Sequence, residues 1–146
     1  LDQETRRALA VGLFNRVWQL LDTDNRTVEQ DDEMVDAAHA SRYHWGHIGT
    51  PENYAVGEWQ LSRVYSVLGR GEPAVHHANR CLAIVQGHPL DAWLLGSAYE
   101  AMARAYAVSG DPAAASWRAK AVAQLDQIDD PEDREVVARD VASLPE

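Results

Sequence analysis

The amino-acid sequence predicts an all-α fold of about seven helices in a single domain, residues 1–146. Helix-start signals recur along the chain, and no stretch sustains the period-two alternation of a β-strand. In addition, a pattern of two helices returns at a spacing of roughly 40 residues. With 46 % hydrophobic and 25 % charged residues, the chain has a globular composition and is long enough to bury a core.

The boundaries of the predicted helices are marked by capping residues, prolines and glycines. The second helix opens with Thr27-Val28-Glu29-Gln30, a capping box. Five prolines stand where a helix should begin, because proline has no N–H to leave unpaired there: Thr50-Pro51, Glu72-Pro73, His88-Pro89, Asp111-Pro112 and Asp130-Pro131. Glycines favour the ends, at Gly49, Gly69, Gly71, Gly87 and Gly110. The predicted helices are 3–22, 27–46, 51–69, 73–86, 89–109, 112–127 and 131–143.

An internal repeat links three of these helices. The segments Phe14–Leu20, Leu61–Val67 and Met102–Val108 share the order large apolar, small, Arg, Val or Ala, aromatic. The helices that follow them also align, through His39-Ala-Ser-Arg42, His77-Ala-Asn-Arg80 and, more loosely, Ala115-Ser-Trp-Arg118. A two-helix repeat of this length predicts stacked helical hairpins, because one hairpin cannot bury its apolar face alone.

These segments resemble the tetratricopeptide-repeat family over about residues 8–125. The match is Leu61, Ser62 and Tyr65, with Ala74 after the turn; it repeats as Met102, Ala103 and Tyr106, and as Phe14, Asn15 and Trp18. The family period is shorter, and Ala78 stands where the family has an aromatic residue. The resemblance implies a right-handed solenoid of three antiparallel hairpins, at 3–46, 51–86 and 89–127, with 131–143 as a capping helix. Another all-α bundle is the alternative.

The resemblance also implies a non-enzymatic module that binds a protein or peptide in a groove. Arg16, Arg63 and Arg104, here called the arginine row, lie about 200° from the preceding large apolar residue and would line that groove. Trp59 stands one turn before Arg63 and would flank it. Arginine suits bidentate carboxylate binding, so we expect an acidic peptide or the C-terminus of a protein as ligand. The alternative is a set of surface arginines, with Glu100 and Arg104 as an exposed pair.

The segment HASRYHWGH, residues 39–47, is rich in histidine and aromatic residues. Because His39 has a repeat counterpart in His77, packing between hairpins is the expected role, and Gly46 should end the helix before His47. A candidate ligand pocket would combine Tyr43, His44, Trp45 and Tyr54 with Trp59.

An alternative reading makes this segment part of a metal- or small-molecule-binding helical-bundle enzyme, as in the DinB-like family. There His44, His47, His76 and His77 would converge with Glu52 or Glu58, but that family's late HxxxH pair is absent. We therefore predict no metal ligands, catalytic residues or cofactor.

Composition narrows the classes of partner and compartment. Thirteen basic and 23 acidic residues give a net charge of −10, which disfavours nucleic acid and anionic membranes as partners. A single cysteine, Cys81, fits a reducing compartment such as the cytoplasm and is expected to be a buried, inert thiol. The apolar run in RRALAVGLF is too short for a signal peptide. Scarce lysine and abundant Ala, Val, Asp and Arg suggest a GC-rich bacterial source, and exposed tryptophans leave self-association open.

Overall fold

The computed structural model describes residues 1–146 and contains no β-strand. Its elements are α1 (Gln3–Leu21), α2 (Val28–Ile48), α3 (Pro51–Val67), α4 (Gly71–Gln86), α5 (Ala92–Val108), α6 (Ala114–Gln124), a 3₁₀ turn (Leu125–Gln127) and α7 (Pro131–Ala142). The all-α prediction with seven helices is therefore confirmed. No helix combines the length and the apolar composition that crossing a bilayer requires.

The helices pack most extensively in consecutive pairs, α1 with α2, α3 with α4, and α5 with α6. The second helix of each pair also packs on the first helix of the next pair, and α3 lies beside α5. This arrangement is compatible with a stack of helical hairpins. Its core is built from residues such as Met34, Leu61 and Met102, which are almost fully buried. Ser41 and Ser62 donate hydrogen bonds to carbonyls of the neighbouring helix, Ala10 and Ala74, at 2.8 and 2.9 Å.

The helix starts follow the sequence signals in part. Thr27 and Gln30 form the expected capping box, with N···O distances of 2.9 and 3.1 Å. Pro51 and Pro131 occupy the first helical position. By contrast, α4 already begins at Gly71, while α5 and α6 begin only at Ala92 and Ala114. In the last two cases the proline belongs to the turn ahead of the helix, where Asp91 and Ala113 take the cap position.

Two of the predicted stop signals repeat the same geometry. Gly69 and Gly110 have φ of 73° and 70°, the left-handed conformation that glycine adopts without steric cost. The backbone N–H of the following residue donates to the carbonyl of Tyr65 after Gly69 and of Tyr106 after Gly110, each at an N···O distance of 2.9 Å. Gly46, in contrast, does not end its helix: α2 continues to Ile48. A Cβ on Gly46 would lie 3.2 Å from Arg42 Nη1, so this glycine accommodates the arginine side chain instead.

The C-terminal helix α7 packs against α5 and α6. Gly96 allows the close approach, since a Cβ there would lie 3.1 Å from Val137 Cγ1. The family resemblance implied a capping helix at 131–143. The structure adds that α7 reaches past α5, because its Asp140 pairs with Arg63 of α3 at 3.3 Å. The helix thus contributes to the face shared by α1, α3 and α5, which we call the groove.

Candidate functional site

Two members of the arginine row meet in the groove on one buried carboxylate. Glu100 Oε1 accepts hydrogen bonds from Arg63 Nη2 at 2.8 Å and from Arg104 Nη2 at 2.7 Å. Its other oxygen accepts from Trp59 Nε1 at 3.2 Å. Arg63 also lies over the Trp59 ring, 5.1 Å from its centroid. The structure therefore brings Trp59, Arg63 and Arg104 together.

The third member of the row, Arg16, lies apart from this cluster. Its guanidinium forms a bidentate pair with Glu33 of α2, at 2.8 and 3.0 Å. That hydrogen-bonded pairing raises the pKa of Arg16 and lowers the pKa of Glu33. Trp18, two residues later, faces α3 instead and contacts Trp59, with ring centroids 5.7 Å apart. The row of three arginines that the repeat suggested is therefore a pair.

Glu100 is completely buried, so its pair with Arg104 is not the exposed surface pair that sequence spacing allowed. An ionised carboxylate without water needs compensating donors. Glu100 has them in Trp59 and both arginines. The cluster has no excess positive charge, because the two carboxylates of Glu100 and Asp140 balance the two arginines.

The end of α7 occupies the groove at these arginines. Arg104 Nη2 donates to the backbone carbonyl of Asp140 at 3.1 Å and to Ser143 Oγ at 2.7 Å. A cation at this position suits the negative end of the helix dipole. The Asp140 carboxylate accepts from Arg63 at 3.3 Å. Burial and the nearby Glu100 nevertheless raise the pKa of Asp140 above its usual 3.8. The groove therefore holds a helix with a carboxylate, and that carboxylate carries an electrostatic penalty.

Beside this contact lies a cavity of about 200 Å³, the tryptophan pocket. Most of its lining is apolar: Trp18, Ala55, Val56, Trp59, Cys81, Trp93, Leu94, Ser97, Val136 and Asp140. The helix α7 supplies Val136 and Asp140, one turn apart on the same face. Val136 stays 53 % exposed, so it covers the pocket without filling it. Cys81 is buried, as predicted, and this burial raises the pKa of its thiol to about 12.

The candidate pocket of Tyr43, His44, Trp45 and Tyr54 is not assembled. Tyr43 is exposed and contacts His44 and His47. His44 Nδ1 lies 3.1 Å from Arg6 Nη1 of α1, and burial followed by the Arg6 charge lowers its pKa. Trp45 faces Arg7, whereas Tyr54 donates its hydroxyl to the carbonyl of Gly49 at 2.9 Å. Apart from the contact between Tyr43 and His44, these side chains serve separate contacts.

A second polar cluster surrounds Glu58, which is only 2 % exposed. Its Oε1 accepts from Arg80 Nε and lies 3.3 Å from His77 Nδ1, while Arg42 Nε lies 3.5 Å from Oε2. Burial opposes ionisation, but the hydrogen bonds from His77 and Arg80 hold the pKa of Glu58 below its usual value. The open side is a depression of about 350 Å³, the histidine–arginine depression, lined by His39, Arg42, Tyr43, Glu58, Leu61, His76, His77 and Arg80.

The histidines do not form the metal centre considered for a helical-bundle enzyme. His44 lies near Arg6 of α1, whereas the exposed His47 contacts Tyr43 of its own helix. His76 and His77 lie instead on α4, with their rings 4.9 Å apart. No group of three or more His, Cys, Asp or Glu side chains is arranged to hold a metal ion.

Some residues of these sites had weak sequence signals. The burial of Glu100 and the contact from Asp140 depend on how α7 docks, which no local pattern specifies. Trp93 lies on α5 but outside its repeated segment, and Val136 lies on α7, which the repeat does not include. The hub Glu58 had one indirect signal, since the repeated His-x-x-Arg motifs place two arginines and two histidines on facing positions of α2 and α4. Comparison with protein-family models, curated proteins and solved structures finds no significant match.

Proposed function

We propose that the protein is a non-enzymatic interaction module of the tetratricopeptide type, whose groove binds a carboxylate-bearing helical segment of a partner protein. The observation that carries this proposal is the docking of α7, which presents Asp140 to Arg63 and its C-terminal carbonyl to Arg104. A partner helix with the same features would make the same contacts. Because the arginines are already neutralised, the partner binds by replacing α7 and not by adding to it.

The tryptophan pocket supports a more specific partner chemistry. Val136 and Asp140 are spaced i, i+4, so a partner helix would place one apolar side chain at the pocket and one carboxylate at Arg63. A cavity of about 200 Å³ has room for more than the valine that now covers it. A leucine, methionine or aromatic residue would bury more apolar area there. The preferred partner segment therefore carries a large apolar residue four positions before Asp or Glu.

This partner class agrees with the composition of the protein. A net charge of −10 repels acidic ligands at long range, so recognition relies on the short-range contacts of the groove. The single buried cysteine fits a protein that acts in a reducing compartment such as the cytoplasm. Self-association is one version of the same chemistry, in which α7 of a second copy docks in the groove.

The test uses a fluorescent peptide of residues 129–146 with Val136→Leu, and a full-length receptor whose own α7 is weakened. The receptor carries Val136→Ala and Ser143→Ala, the second of which removes a hydrogen-bond acceptor of Arg104. Binding is followed by anisotropy. We expect saturable binding that weakens about tenfold when Arg63→Met is added to the receptor, because a charge-assisted hydrogen bond is lost. Methionine is chosen because an acidic replacement would stand beside Glu100.

The matched control adds Arg16→Met to the receptor, since Arg16 belongs to the same sequence pattern but lies outside the groove contacts. It should leave the affinity unchanged. A peptide that keeps Val136 should bind more weakly than the Val136→Leu peptide, because it leaves more of the tryptophan pocket unfilled. Absence of binding by the receptor with the weakened α7, or equal losses from Arg63→Met and Arg16→Met, would contradict the proposed function. Light scattering of the same receptor separates capture of a partner peptide from self-association.

A further inference from the structure

The histidine–arginine depression lies on the other side of α3 from the groove contacts and takes no part in the proposed function. It is built from two repeat-related motifs, since His39 and Arg42 of α2 correspond to His77 and Arg80 of α4. The His39 and His77 rings lie 5.5 Å apart, and both arginines approach Glu58. Because arginines from both motifs contact the same carboxylate, their N–H donors are held in fixed positions around the depression.

The charge of this cluster is positive, in contrast to the protein as a whole. Arg42 and Arg80 carry two positive charges, and Glu58 neutralises one of them. The neighbouring His39 and His77 add hydrogen-bonding imidazoles, and burial followed by the His77 charge lowers the pKa of His39. Among the residues that line the depression, arginines therefore exceed carboxylates by one, on a protein whose net charge is −10.

The hydrogen-bond donors are also incompletely used. Arg42 Nε is buried but makes no hydrogen bond, and its contact with Glu58 at 3.5 Å is an ion pair only. The guanidinium of Arg42 is held in place by the Tyr54 ring at 5.0 Å and by Gly57, where a Cβ would lie 2.7 Å from Arg42 Cδ. Arg80 uses its Nε on Glu58, while its side chain is 52 % exposed.

From this arrangement we infer that the histidine–arginine depression binds a small oxyanion of the phosphate type, either free or as the end group of a small phosphate monoester. Arginine guanidinium groups match the geometry of phosphate oxygens, and each can offer more than one N–H. Glu58 acts as a positioning residue, because its hydrogen bonds orient His77 and Arg80 toward the same opening. The volume of about 350 Å³ suits a small ligand.

The experiment is calorimetric titration of the full-length wild-type protein with inorganic phosphate near neutral pH, with sodium chloride at matched ionic strength as the reference. A second titration uses adenosine monophosphate. We expect saturable phosphate binding that chloride does not reproduce. Tighter binding of adenosine monophosphate would assign the site to monoesters, whereas tighter binding of inorganic phosphate would assign it to the free anion.

Two variants connect the binding to this depression. Arg80→Gln should weaken phosphate binding about tenfold, the effect expected for one charge-assisted hydrogen bond. His76→Ala should also weaken it; this exposed residue makes no contact with Glu58, so the fold is retained, which circular dichroism verifies. The control is Arg139→Gln, which removes an exposed arginine on α7.

Arg139→Gln should bind phosphate like the wild type. The inference is overturned if wild type shows no phosphate binding beyond the chloride reference. It is equally overturned if Arg139→Gln weakens binding as much as Arg80→Gln, since the effect would then reflect overall charge. The groove experiment with the α7 peptide does not involve the residues that line the depression, so either proposal can fail while the other stands.

Discussion

At the residue scale, two buried carboxylates organise the polar chemistry of the molecule. Glu58 joins α2, α3 and α4 through Arg42, His77 and Arg80. Glu100 joins α3, α5 and, through Arg63 and Arg104, the end of α7. Removing one partner of such a cluster is costly, because the remaining charges stay buried without compensation. Each carboxylate is therefore both a structural link and the element that positions the arginines of a candidate site.

Two glutamates test the importance of burial, since Glu100 and Glu135 each pair with an arginine four residues later. Glu100→Gln should lower the free energy of unfolding by about 3 kcal/mol, because Arg63 and Arg104 lose their shared anion in a buried setting. Glu135→Gln should leave it unchanged, because that pair is exposed. Urea unfolding of both variants measures the difference. Equal effects would show that the burial of Glu100 contributes nothing.

At the element scale, α7 determines what the groove can do. Its Val136 lines the tryptophan pocket. Its end accepts hydrogen bonds from the two groove arginines, from Arg63 at Asp140 and from Arg104 at Ser143. The sequence predicted this helix and its first residue, since Asp130 and Pro131 form a strong start signal and Asp130 caps two N–H groups. It did not predict where the helix docks. Docking depends on Gly96 and on the arginines, whose relation to α7 is not local in sequence.

Asp140→Asn should increase the free energy of unfolding at neutral pH. A folded-state pKa raised above 3.8 means that the native state binds the proton more tightly than the unfolded state. The stabilising effect of protonated Asp140 is therefore full below pH 3.8 and is lost as pH rises through the higher folded pKa. Asparagine keeps the uncharged form at all pH values. Urea unfolding at neutral pH measures the change, and a loss of stability would show that the pair with Arg63 outweighs burial and Glu100.

Val136→Leu should stabilise the protein by up to about 1 kcal/mol, since an added methylene enters the tryptophan pocket. The control is Val122→Leu on α6, which is 50 % exposed, against 53 % for Val136, and does not line the tryptophan pocket. The two substitutions change helix propensity alike. Thermal unfolding compares them. If both shift the midpoint equally, the gain belongs to helix propensity and the pocket does not accept a larger side chain.

At the scale of the whole molecule, sequence patterning predicted the all-α class and the approximate positions of the seven helices along the chain. These features depend on local signals, namely caps, prolines, glycines and the two-helix repeat. The starts of α5 and α6 differed because a proline fits the preceding turn as well as the first helical turn, whereas α4 begins two residues before Pro73. The repeat correctly aligned His39 with His77, which meet in space. It misplaced Arg16, because the first hairpin offers Glu33 as a nearby partner.

The most direct test of the proposed groove is hydrogen exchange of the wild-type protein with an excess of the residue 129–146 peptide carrying Val136→Leu. The excess is needed because a tethered α7 competes at an effective concentration on the order of millimolar. We expect the amides of α7, Pro131–Ala142, to lose protection as the peptide displaces them, while those of α1 to α5 keep theirs. Unchanged protection of α7 at saturating peptide would contradict the account, because the peptide would then bind elsewhere or not at all.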